Sequence, residues 1–442
     1  MTSRVTHQTL AQRLPEVTAV IRQRGIGRLV ARTASYNVAA MVAAGLGGVI
    51  VARVLGPVMR GEYAATTAWA GVALTLGQVG QPAAVCFFAA REPDQARGYV
   101  ATSRAIVLIT GTVVLIAGIL LAPLLGRGNA GLTAAYRIAF ATLIVAFPSS
   151  SYMFPLQARD LRAWNTVRML QPALTLAVLV ALWRLRLLTL DSALLAIAVG
   201  VLVQFGWGYA RCRSAGLAPG RRQASLTRPL LRYGTAQIVA LTPAVLNIYL
   251  DQLVLSLTVP AAALGRYSIA VTCTLLPLPA VSAIGNVAFP RLASRRTVDS
   301  LAHQMQWLGI LVAACTAVAA LIPLDLVAPW LIPHVFGPAY ASVTALLWAL
   351  TPAGILMACN QVTGDMLRGR KQPLVIARAE GLAVLFTVVL LFALLPVIGL
   401  YGAAIASGVA YGVALTIMLL SLRRLPPHDA LPKRRQHGRQ ER

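Results

Sequence analysis

Acid is scarce in this chain: 13 Asp and Glu stand against 39 Lys and Arg in 442 residues. Lysine is scarcer still, present only as Lys371 and Lys433, and no Gly-x-x-x-x-Gly-Lys-Ser/Thr run occurs. A phosphate-cradling loop needs that lysine, so a pump driven by nucleotide hydrolysis is excluded. Cysteine is thin as well. Cys86, Cys212, Cys273, Cys315 and Cys359 include no Cys-x-x-Cys pair, which removes a disulfide framework and a thiolate metal centre and leaves small apolar packing groups. On the outer face, where Arg and Lys are few, the acids are Glu62, Asp191 and Asp325, in three separate turns. Glycosyl chemistry needs carboxylates held in pairs, so neither an enzyme nor a cofactor is expected.

Apolar sequence is what the chain has in quantity. Hydrophobic residues make up 58% and charged residues 12%, about half the charge of a soluble domain, and the mean hydropathy is +0.72. Runs of about 20 apolar residues, each long enough to span a bilayer, fall near 29–52, 64–90, 104–125, 132–155, 169–188, 191–210, 233–258, 265–290, 306–327, 341–365, 374–396 and 400–422. The expected class is therefore an all-α polytopic membrane protein with about twelve transmembrane helices. Arg and Lys sort by alternate connections: 32 of the 39 lie on one side and 7 on the other. Short basic loops stay in the cytoplasm, so a multi-pass protein of the plasma membrane with both termini cytoplasmic is expected. These cations then face anionic lipid, and nucleic acid is not an expected partner.

The longest connection, 212–232, divides the spans into a bundle at 29–211 and another at 233–422, flanked by a basic arm at 1–28 and a basic tail at 423–442. The two bundles echo each other. Gly61-Glu62-Tyr63 matches Gly265-Arg266-Tyr267 and Arg91 matches Arg295 at a shift of 204, while Leu161-Arg162 matches Leu367-Arg368 at 206. An even number of spans per bundle makes the repeats parallel, with a path expected between them near the midplane.

Polar groups inside apolar spans are costly and mark a pathway by default. Asp251 is the sharpest, with Asn247 one turn earlier on the same helical face. Asp251 either holds a coupling cation or proton, or forms a structural ion pair. Asn37, Gln78 and Gln81 are softer candidates. Arg53 reads as a side chain snorkelling to headgroups, Arg137 as the clearest cation within a span, and Glu380 and Asp365 as interfacial partners of Arg378 and Arg368. Asn360 faces either the cavity or a neighbouring helix.

Several short motifs are similar to those of one family. Val51-Ala52-Arg53-Val54-Leu55-Gly56-Pro57 with Gly61-Glu62-Tyr63 resembles the first hairpin of the polysaccharide transporter (Wzx-like) branch of the multidrug/oligosaccharidyl-lipid/polysaccharide (MATE-like) flippase superfamily. Asp251 with Gly265-Arg266-Tyr267, Val335-Phe336-Gly337-Pro338-Ala339-Tyr340 and Leu367-Arg368-Gly369-Arg370 resemble its second half, a basic turn included. The resemblance implies two six-helix bundles that alternate between inward- and outward-open states. It also implies a polyprenyl-linked oligosaccharide moved from the inner to the outer leaflet, with glycosyltransferases or a polymerase of glycan assembly as partners. A cation-coupled multidrug or metabolite exporter of the same fold stays open, as does a membrane-embedded glycosyltransferase or polymerase.

Overall fold

The computed structural model describes residues 26–217, 220–282, 300–370 and 372–424. The arm before residue 26, the tail beyond 424, and Arg295 with its neighbours lie outside the described residues. Every regular element among those described is helical. In chain order the α-helices are α1 (Ile26–Gly77), α2 (Gln81–Arg91), α3 (Ala96–Leu125), α4 (Ala130–Arg159), α5 (Leu161–Arg184), α6 (Leu190–Ser214), α7 (Ala224–Thr258), α8 (Ala261–Thr274), α9 (Ser300–Phe336), α10 (Val343–Gly369), α11 (Pro373–Ile398) and α12 (Leu400–Arg424). Ten stretches among the described residues are long and apolar enough to cross a membrane.

Local chemistry sets most of the boundaries. Asn129 accepts a hydrogen bond from the Leu132 amide and starts α4, Asp160 does the same for Arg162 and Ala163 at α5, and Thr189 with Ser192 forms a capping box at α6. Each satisfies amides that helix starts leave orphaned. Two boundaries differ from the expectation. The connection expected at 53–63 is helical throughout except Gly56, whose φ of 74° and ψ of 178° reverse the chain ahead of Pro57. Proline has no amide to donate and glycine tolerates positive φ, so one residue makes the turn. The span expected at 64–90 is interrupted at residues 78–80, where Val79 and Gly80 adopt positive φ.

The same pairings recur in the two halves. α3 packs on α4, α4 on α6, α5 on α6, the first arm of α1 on α5, and α2 on α4. Likewise α9 packs on α10, α10 on α12, α11 on α12, α7 on α11, and α8 on α10. The cores are rich in buried alanine, whereas Leu120, Leu124, Leu326, Phe392 and Val397 project outward. That inversion suits a lipid solvent, in which small residues let helices approach. Arg168 over Trp164, Arg211 over Trp207 and Arg423 over Trp307 form cation–π pairs near one end of the bundle, as expected for anchors at a membrane surface. This end is called the basic end below.

The halves meet along two seams. Toward the end opposite the basic one, Gly61 crosses Gly265 so closely that a Cβ on Gly61 would lie 1.8 Å from the Ala261 carbonyl oxygen, and one on Gly265 2.0 Å from that of Pro57. Toward the basic end Gly80 meets Gly234, where a Cβ on Gly80 would lie 2.1 Å from the Gly234 oxygen. Between these points Trp69 Nε1 donates to Ser256 Oγ at 3.0 Å, so the second arm of α1 follows α7 over most of its length.

Candidate functional site

Each half encloses a cavity, and the two occupy corresponding places. In the first half about 280 Å³ lies among the second arm of α1, α4, α5 and α6, lined by Gln78, Ser149, Ser150, Gln171 and Gln204 together with apolar groups. None of its lining residues is ionisable. In the second half about 210 Å³ lies among α7, α8, α10 and α12, lined by Asp251, Gln252, Thr274, Ser407 and Tyr411. Tyr249 borders this second cavity, and its hydroxyl lies 3.1 Å from where a Cβ would stand on Gly71, which borders the first. One tyrosine therefore stands between the cavities.

Asp251 is buried, at 7% exposure. The Tyr267 hydroxyl donates to its Oδ2 at 2.7 Å, and the Gln252 amide donates to Oδ1 at 2.7 Å. No cation pairs with it among the described residues, where the one ion pair is Arg368 with Asp365. A structural ion pair for Asp251 is thus not found. A buried carboxylate carried by two hydrogen bonds alone retains lone pairs able to take a cation or a proton. One turn earlier, Asn247 Nδ2 donates to the Glu380 carboxylate and to the Glu380 carbonyl oxygen. Asn247 and Glu380 therefore join α7 to α11, one turn from Asp251, which is bonded to α8.

The remaining candidates divide. Gln78 lines the first cavity, and Asn37 is half-buried on α1. Gln81 is buried and reaches the Leu230 carbonyl oxygen at 3.5 Å. Asn360 donates to the Tyr411 carbonyl oxygen at 3.0 Å, the helix-to-helix bond that was its other expected role. Three expectations are corrected. Glu380 is held by Asn247 and not by Arg378. Arg53 donates to the His334 and Val335 carbonyl oxygens at 2.6 and 3.2 Å, capping the last turn of α9 where carbonyls are unsatisfied; it does not reach for headgroups. Arg137 is exposed on α4 beside the buried Tyr136 and faces away from the cavity. The expected pairing of Asp365 with Arg368 is present.

Sequence reasoning missed Tyr267, Tyr249, Tyr411 and the glutamines Gln171 and Gln204. Tyr267 carried a signal, since it ends the Gly265-Arg266-Tyr267 echo. The glutamines carried none, because a lone amide in an apolar run does not reveal which neighbour it faces. Arg60, which follows the Gly56 turn, is 8% exposed and stands over the Tyr63 ring, 5.6 Å from its centroid.

A family described as polysaccharide biosynthesis protein matches residues 26–296. The probable low-salt glycan biosynthesis flippase Agl15 of Haloferax volcanii is 20% identical over 225 residues, 50% of this chain and 47% of that protein. The match thus spans about half the length of that curated relative. Among solved structures, the lipid II flippase MurJ in an inward closed conformation is similar at a TM-score of 0.74 and 12% identity, over 88% of each chain. An inward-facing multidrug resistance MATE family transporter is similar at a TM-score of 0.67 and 16% identity, over 88% of this chain and 94% of that one. At these identities the likeness establishes the fold alone, which is MATE-like.

Proposed function

Because the chain belongs to the polysaccharide biosynthesis protein family, we propose that it carries a lipid-linked oligosaccharide from the inner to the outer leaflet of the plasma membrane by alternating access. The observation that carries this reading is the pairing of two repeat halves along glycine seams at opposite depths. Such seams close one end while permitting the other to open, as a cargo that crosses between the halves requires. The names of the similar proteins support it, since both a glycan biosynthesis flippase and a lipid II flippase are among them. Asp251, with Asn247 and Glu380 beside it, is the coupling group: it takes a cation or proton in one state and releases it in the other.

A cation-coupled exporter of small molecules is the second reading. It is favoured by the size of the enclosed cavities, about 280 and 210 Å³, which suit a small molecule better than a glycan. Depleting the protein separates the two. The flippase reading expects lipid-linked precursor to accumulate on the cytoplasmic leaflet and surface glycan to fall. Normal surface glycan with hypersensitivity to drugs instead would overturn it and establish the exporter.

A further inference from the structure

At the basic end of the seam between α2 and α7 lies a cleft of about 790 Å³. Phe88 of α2 forms one wall, and Arg228, Arg232 and Tyr233 of α7 form the other. Arg228 and Arg232 are four residues apart, so they project from one face of the helix, and both are exposed. Neither guanidinium makes a hydrogen bond or an ion pair with another described residue. Glu92, the acid that follows α2, is already engaged as acceptor of the Tyr99 hydroxyl at 2.6 Å. Aromatic rings tie the walls together: Phe87 stacks on Tyr233 across the seam with centroids 4.6 Å apart, and Phe88 stacks on Tyr99 at 4.8 Å. Behind them the Gly80 and Gly234 backbones touch, leaving no room for a methyl group.

Two free guanidiniums on one face offer donors and no acceptors. Their planar forks match phosphate oxygens, and aromatic rings suit the boundary between headgroups and acyl chains. We propose that this cleft binds the phosphate headgroup of an anionic phospholipid of the surrounding bilayer. The closed glycine contact favours a resident lipid over a cargo in transit, because nothing bound in the cleft reaches the interior while that contact holds. Both halves supply walls, so the site exists only while this seam is shut, and a bound headgroup favours that state. The pair also belongs to the repeat: Arg24 and Arg28 precede Arg228 and Arg232 by 204 residues each.

The test uses the full chain in detergent, titrated with phosphatidylglycerol or phosphatidylcholine, and reads both the melting temperature and the alkylation rate of an Ala236→Cys variant, whose new thiol lines the cleft. Phosphatidylglycerol is expected to raise the melting temperature and to slow alkylation several-fold, with phosphatidylcholine doing neither. Arg228→Ala/Arg232→Ala is expected to weaken the phosphatidylglycerol response about tenfold or more, the scale of two basic contacts at a membrane surface. Arg221→Ala/Arg222→Ala, which removes the same charge from the preceding connection, is expected to keep the response. Equal responses from the two double variants would overturn the proposal. So would the same protection from glycerol 3-phosphate, or protection by a polyprenyl pyrophosphate and not by phosphatidylglycerol. All of these outcomes read binding at the cleft and none reads transport, so the flippase reading stands or falls separately on the depletion experiment.

Discussion

Asp251 is held by one phenol and one amide, and each of those bonds is worth more than usual because its acceptor is a buried carboxylate. Asp251→Asn preserves the shape of the side chain and removes its charge. Transport is expected to fall roughly tenfold or more, since an interaction with a charged group is worth about 1.5–3 kcal/mol, while insertion and expression remain normal. A cargo assay in vesicles at matched protein level checks this, and wild-type transport would reduce Asp251 to a packing residue. Tyr267→Phe leaves the carboxylate with one bond fewer and is expected to cost about 1–3 kcal/mol of stability, read as a lower melting temperature in detergent. At this scale the sequence was legible where charge sits in an apolar run. Asp251 borders a cavity of the second half, and Asn247 one turn away meets Glu380 of α11. The sequence was not legible for direction: Arg137 turns outward and Arg53 caps a helix, because side chains in a span are aimed by neighbours hundreds of residues away.

Helices and their crossings obey a harder constraint. Gly61 and Gly265 admit no side chain, so Gly61→Ala and Gly265→Ala must each push α8 away from the second arm of α1. Overpacking of this kind costs about 1–3 kcal/mol. The expected outcome is a lower melting temperature and greater access of thiol reagents to a cysteine placed at that end. Gly45→Ala is the matched control, because nothing lies within 4 Å of its added Cβ; unchanged behaviour of all three variants would remove the seam from the mechanism. Most of the apolar runs were read close to the helices observed, because hydropathy and helix length are properties of local sequence; the run at 265–290 passes beyond the described residues. The break at Val79 and Gly80 was not, since a single pair of positive φ values has no signature in an apolar run, and the Gly56 turn proved sharper than a loop because Gly-Pro needs only one residue.

The whole molecule rests on parallel halves. The Asn165 amide donates to Thr33 Oγ1 at 2.9 Å, placing the start of α1 beside the start of α5, and the Gly220 amide donates to the Arg97 carbonyl oxygen at 3.4 Å, placing the 212–232 connection beside the start of α3. Arg53 and the Tyr340 hydroxyl join α1 to the turn after α9, at the opposite end. The faint echo at a shift of 204 residues in sequence thus corresponds to five repeated helix pairings in space, which were invisible in sequence because packing partners within each half share no residue identity. Charge sets the expected orientation: short basic connections are retained in the cytoplasm, so the end that gathers them is expected on that side. Reporter fusions after Gly220 and after Arg424 are therefore expected to be active with a cytoplasmic reporter and silent with an exported one, and fusions after Gly128 and after Gly337 the reverse. Replacing Arg221, Arg222, Arg228 and Arg232 together is expected to weaken that bias without inverting it, since the basic residues at the other connections of the same end remain. An exported signal at Gly220 in the unaltered chain would mean an odd number of crossings in the first half, and the parallel arrangement, with the alternating seams built on it, would fall.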